Sequence, residues 1–130
     1  MSERLNISSG SPWEDNVGYA RAVRVGDSVF VSGTTASDAS GETIAPGDGY
    51  EQMRFILNKI SRSLGEAGAS MRDVVRTRMY VTDPAVADEV GRAHRELFGV
   101  ASPVATMVVV AALLDPEWLV EIEVQAVVDR

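Results

Sequence analysis

The sequence predicts an α+β fold, a single mixed sheet with two helices on one of its faces. Two segments repeat apolar residues at helical spacing, and the segments around them alternate with the period of a strand. Their order, strand-strand-(short strand)-helix-strand-helix-strand-strand, sets both helices between strands of one sheet. At 130 residues the chain makes one domain, spanning 1–130. A domain of this size buries about two-thirds of the surface its unfolded form exposes.

The first dozen residues are polar and are expected to be loosely held. "YARAVRVGDSVFVSG" reads as two strands joined at Gly26-Asp27, with Val23, Val25, Val29 and Val31 as apolar positions. The turn-rich stretch that follows holds a short extended piece around Thr43-Ile44. A helix then starts at Asp48, which stands at capping-box spacing from Glu51. Met53, Ile56, Leu57, Ile60 and Leu64 form its apolar stripe, and Gly68 suits the position just past its end.

"DVVRTRMYVT" is the next strand, with Val75, Thr77, Met79 and Val81 opposed to Arg76, Arg78 and Tyr80. Asp83-Pro84 opens a second helix with Val86, Val90, Ala93 and Leu97 as its buried stripe, ended by Gly99. "VATMVVVAA" is apolar at both odd and even positions, which suits a strand covered on both sides. Helices on one side only leave the other to a second copy of the chain, so a ring-like homo-oligomer with clefts between copies is expected.

The last strand, "LVEIEVQAVV", divides cleanly. Val120, Ile122, Val124, Ala126 and Val128 fall on one face, and Glu121, Glu123 and Gln125 on the other. Such a row of carboxylates is either a solvated sheet face or the wall of a cleft where a carboxylate handles water or a proton.

Composition narrows the partners. A formal charge of -7 opposes nucleic-acid binding, which needs clustered Lys and Arg, and opposes binding to anionic membranes. No cysteine is present, so disulfides, zinc-thiolate sites and a cysteine nucleophile are excluded. Without a signal-like or membrane-length apolar run, a cytoplasmic location is expected.

"GYARAVRVGDSVFVSGTT", "QMRFILNKISRSLGEAGASMRDVVRTRMYVTD", "HRELFG" and "SPVATMVVVAALLDPEWLVEIEVQAVV" together resemble the RidA/YjgF family of reactive-intermediate deaminases. The resemblance runs from about Gly18 to Val128. It implies a chorismate-mutase-like fold, a homotrimer with clefts between subunits, and hydrolysis of 2-imino and 2-enamino acids to 2-keto acids and ammonia. It implies neither a metal nor an organic cofactor. By the same resemblance Glu121 positions the attacking water, Tyr19 lines the cleft, and Ser32, Gly33 and Thr34 match an "SGQ"-like loop with threonine in place of glutamine. Read alone, Tyr19 is equally a packing residue at a strand end, and Ser32-Gly33 a tight exit from a strand.

The departures fall on the substrate side. The family's carboxylate-gripping arginine is Ala105, within Pro103-Val104-Ala105-Thr106, its cysteine is Met107, and a helix asparagine is Gly91. Losing a bidentate guanidinium removes charge-assisted bonds worth about 1.5–3 kcal/mol each. Poor activity on simple 2-imino acids is therefore expected. Arg21 shares a strand face with Tyr19 and is a candidate replacement grip for an anionic ligand, or else an exposed strand charge. His94 is the single histidine. It is a candidate donor to a leaving nitrogen, or else a partly buried structural residue.

The leading expectation is a trimer whose clefts hydrolyse an imine, an enamine or a related small metabolite. The alternative is a non-catalytic metabolite-binding or regulatory trimer. A third reading, as an endoribonuclease or translation inhibitor, is opposed by the acidic charge and the lack of an interleaved basic and aromatic surface.

Overall fold

A computed structural model of the chain describes residues 3–129. Six strands, β1 (Arg4–Ile7), β2 (Ala22–Val25), β3 (Ser28–Thr34), β4 (Val74–Val81), β5 (Val104–Val109) and β6 (Val120–Val127), form one sheet in the order β1-β2-β3-β6-β4-β5. Neighbours are antiparallel except β4 and β5, which run parallel. Three helices accompany them: α1 (Pro12–Val17), α2 (Gly49–Glu66) and α3 (Ala87–Phe98). The architecture is the expected α+β fold, with α2 and α3 packed on one sheet face and a short helix added near the N-terminus.

The core lies between that face and the two long helices. Met53, Ile56, Leu57, Ile60 and Leu64 of α2 are wholly buried, as are Val90 and Ala93 of α3. Val120, Ile122, Val124, Ala126 and Val128 meet them from the last strand, so its two faces divide as the alternation requires. Phe98, outside the predicted stripe of α3, is also buried. Local signals set the ends. The Asp48 side chain accepts from Glu51 N at 3.0 Å, and Gly68 takes φ 81° just past α2, a conformation that disfavours any side chain. Gly26 does the same at φ 59° in the turn between β2 and β3, and Ser37 bridges Thr43 in the short extended piece.

Two expectations are corrected. Residues 4–7 are not loosely held but form β1, which pairs Ile7 with Ala22, and residues 12–17 form α1. Backbone pairing with β2 holds this polar segment, and Ser11 caps α1 with Pro12 at its first turn. Met1 and Ser2, in the same stretch, lie outside the described residues. In β4 the inward residue is Val74 rather than Val75, which is exposed. A bulge between Val74 and Arg76, whose partners are Ala126 and Gln125, shifts the alternation by one.

Within one chain β5 is not covered on both sides, the open side being the one expected to be left to a second copy. Its parallel pairing with β4 puts it at the sheet edge, and Val104, Val108 and Val109 are 62%, 42% and 55% exposed. Val25, Phe30 and Val127 are exposed as well, on the sheet face opposite the helices. Among the described residues no helix is long and apolar enough to cross a membrane.

Candidate functional site

A bulge in β3 builds the site. Val31 pairs with Val124 and Thr34 with Ile122, so three steps along β3 match two along β6. Ser32 and Gly33 take up the extra residue, and such bulges re-aim the chain locally. The Ser32 hydroxyl donates to Ala20 O at 2.7 Å, and the Thr34 hydroxyl donates to Ser32 O at 2.8 Å. Glu121 reaches this corner from β6. A Cβ added to Gly33 would overlap Glu121 Oε2 and lie 3.1 Å from its carboxyl carbon. Glycine at 33 is what leaves room for the carboxylate.

Glu121 is half-buried on the sheet face away from the helices, where Tyr80 is its register partner. Its side chain makes no hydrogen bond or ion pair with the other described residues. Burial pushes its carboxyl above the ordinary value, the charge of Arg21 partly offsets this, and Glu123 adds to it. Glu123 differs. It accepts from the Tyr80 hydroxyl and lies 3.8 Å from Arg78, so it is tied into the sheet.

Arg21 is neither an exposed strand charge nor open to the sheet face. It is 6% exposed, and Nη1 donates to Gly33 O at 3.0 Å and to Thr34 Oγ1 at 2.7 Å. Nη2 donates to the Tyr19 hydroxyl at 3.3 Å, with the guanidinium 5.5 Å from the Tyr19 ring. One guanidinium thus joins Tyr19 to the Gly33-Thr34 corner. Its counter-charge is Glu14 of α1, at 3.7 Å. Burial pushes the Glu14 carboxyl up, but hydrogen bonds from Ser9 and Ser8, with Arg21, outweigh it and hold the group below its ordinary value.

The other candidates lie apart from this corner. His94 is on the helix side, with Nε2 2.8 Å from the Thr77 hydroxyl and its ring 4.9 Å from that of Phe98. Burial lowers its pKa, which favours the neutral ring. Thr77 is the register partner of Ala105, so His94 meets the sheet beside the position where the resembling deaminases carry arginine. Ala105 is exposed, Met107 packs partly against the core, and Thr106 sits opposite Arg78. Alternation along β5 therefore puts Thr106 on the open face and its two neighbours on the other. Nothing within 4 Å would obstruct a side chain at Gly91.

Glu14 was not foreseen from the sequence. Ser11-Pro12 is a cap followed by proline, and that signal would have revealed α1 and with it a carboxylate turned inward. Among the described residues no group of three or more His, Cys, Asp or Glu is arranged to hold a metal ion.

Residues 13–128 match the family model described as Endoribonuclease L-PSP. An uncharacterized protein of Streptomyces coelicolor is 42% identical over 92% of this chain and 89% of its own length. The 3-aminoacrylate deaminase RutC of Acinetobacter baylyi is 30% identical over 94% of this chain and 95% of its own. A crystal structure from Mycobacterium tuberculosis, described as a member of the highly conserved YjgF/YER057c/UK114 family, superposes with a TM-score of 0.88. It shares 48% identity and covers 97% of this chain and 100% of its own.

Proposed function

Since the chain belongs to the Endoribonuclease L-PSP family, also called YjgF/RidA, we propose that it hydrolyses the C=N bond of a small imine or enamine. Glu121 acts as the base, in a cleft completed by a neighbouring copy in a homotrimer. The observation that carries this reading is the state of Glu121: half-buried, its side chain bonded to no other described residue, with its carboxyl raised by burial. A carboxylate of that kind takes a proton from water more readily than a solvated one. The hydroxide adds to the imine carbon while Glu121 returns that proton to nitrogen, giving an aminoalcohol. Glu121 then takes the hydroxyl proton and hands it to nitrogen as the C–N bond breaks, so that the carbonyl forms, ammonia leaves and the carboxylate is restored. An enamine first tautomerises to the imine.

Arg21 serves this site as a brace rather than as the anion grip. Its terminal nitrogens are committed to Gly33, Thr34 and Tyr19, which leaves no bidentate face for a carboxylate. With alanine at 105 as well, 2-imino acids are poor substrates. A trimer is supported by the apolar side chains exposed along β5 and on the helix-free face. An open strand edge is likewise a surface that proteins cover. The deaminase relative points toward enamine substrates, and the net charge of -7 argues against RNA.

The non-catalytic reading, a metabolite-binding trimer, draws on Ala105 and on a His94 already held by Thr77. One assay separates the two. Ammonia release from 3-aminoacrylate and from 2-iminobutyrate, each generated in place, is followed with wild type and Glu121→Gln. The enzyme reading expects wild-type acceleration that is lost in Glu121→Gln. Equal rates for both proteins on every substrate would leave the binding reading.

A further inference from the structure

We infer that the chain carries a second small-molecule site, for an organic carboxylate with a flat apolar body, in the cavity between the N-terminal segment and α2, with Arg21, Lys59 and Trp118 in its wall. The cavity measures about 390 Å³ and does not include Glu121, Gly33 or Tyr19. That volume falls in the range of small-ligand pockets. The inference does not depend on the proposed hydrolysis.

Two side chains in this wall carry a buried N–H with no acceptor among the described residues, Nε of Arg21 and Nε1 of Trp118. Both residues are more than nine-tenths buried, at 6% and 8% exposed. Buried donors nearly always have partners, so two unpartnered N–H groups on residues that line one cavity point to acceptor oxygens supplied from outside the described residues. The nearest carboxylate oxygen to Arg21 Nε, on Glu14, is 3.7 Å away and beyond hydrogen-bond reach.

Charge points the same way. In a chain of net charge -7, three cations meet at this cavity: Arg21, Lys59 and Arg62. The Lys59 ammonium has only the carbonyls of Thr35 and Ser37 as acceptors, at 3.4 and 3.1 Å. Burial pushes it toward neutrality, Arg21 and Arg62 push it further, and Glu14 and Asp38 oppose them. Asp38 is turned to its own loop, where it accepts from Ser40 and from Glu42 N, and Glu66 is exposed at the rim. A bound anion would relieve this cluster. Phe55, Trp13 and Trp118 supply flat apolar wall, which selects an organic carboxylate over an inorganic ion.

Phenylacetate is the probe, with 2-phenylethanol as its neutral counterpart and inorganic phosphate as the bare anion. Indole N–H resonances are followed by two-dimensional NMR, and Trp13→Phe identifies the Trp118 signal. Phenylacetate should move the Trp118 resonance saturably, and neither control should. Lys59→Met and Arg62→Gln should each weaken binding about tenfold, the loss expected for one charge-assisted contact. Arg62 is exposed, so its variant decides the point if Lys59→Met fails to fold. Glu121→Gln should bind as wild type does. A Trp118 signal that phenylacetate leaves unmoved would overturn the inference. So would equal binding of 2-phenylethanol, undiminished binding by Arg62→Gln, or loss of binding in Glu121→Gln.

Discussion

The carboxylate of Glu121 occupies the space that a side chain on Gly33 would fill. The two residues are far apart in sequence and come together where the β3 bulge meets β6. The group that would be displaced is the end of a flexible side chain, so a methyl at 33 shifts the carboxylate rather than the fold. Gly33→Ala should therefore reduce hydrolysis by about 100-fold, the order of loss expected when a reacting group is misplaced by an ångström. Thermal unfolding should stay close to that of wild type. Full activity in Gly33→Ala would mean that the position of Glu121 is not critical.

Glu121 also sets a pH dependence. Its carboxyl is raised above the ordinary 4.5, so the folded chain holds that proton more tightly than the unfolded chain does. The stabilising contribution is complete below the unfolded value and is lost as pH rises through the folded one. Glu121→Gln should then melt about 1–3 °C above wild type at pH 7, a shift readily resolved for a domain of this size. The difference should vanish below about pH 4.5, where both chains are neutral at this position. A variant less stable than wild type at pH 7 would show that the carboxylate is stabilising after all.

Arg21 and Glu14 form a buried pair whose side chains are 7% and 4% exposed. Removing one member leaves the other a buried charge without its counter-charge. Arg21→Met should cost about 3 kcal/mol in urea unfolding. Adding Glu14→Gln should recover part of it, because the double variant buries no lone charge. Strict additivity of the two changes would contradict a coupled pair.

Ala105 is exposed, and Gly91 has open space around it, so both can be replaced without clash. Ala105→Arg with Gly91→Asn should raise the rate on 2-iminobutyrate at least about tenfold, the value of one charge-assisted bond to the substrate carboxylate. If wild type already processes 2-iminobutyrate rapidly and the double variant adds nothing, alanine at 105 is no handicap.

What the sequence made legible is what local periodicity encodes. The α2 stripe, the Asp48 cap and the two faces of β6 follow from spacing alone, because each is decided within a few residues. The bulges at Val75 and at Ser32-Gly33 were not legible, since a bulge exists only relative to a partner strand. The apolar residues of β5 call for a cover that one chain does not supply, but that the strand lies at the sheet edge is decided only by its pairing with β4. Arg21 could be assigned to a face but not to a depth, because its counter-charge Glu14 comes from a helix the polar N-terminus concealed. Glu121 was picked out by resemblance. Its closeness to Gly33 belongs to the fold.

The central claim is that Glu121 works in a cleft that a single chain does not possess. The molar mass in solution at micromolar concentration tests it most directly, by light scattering coupled to size exclusion. The account predicts a mass three times that of the 14.0 kDa chain. A mass of 14.0 kDa would leave the helix-free face in water and return Glu121 to a solvated sheet surface, contradicting it.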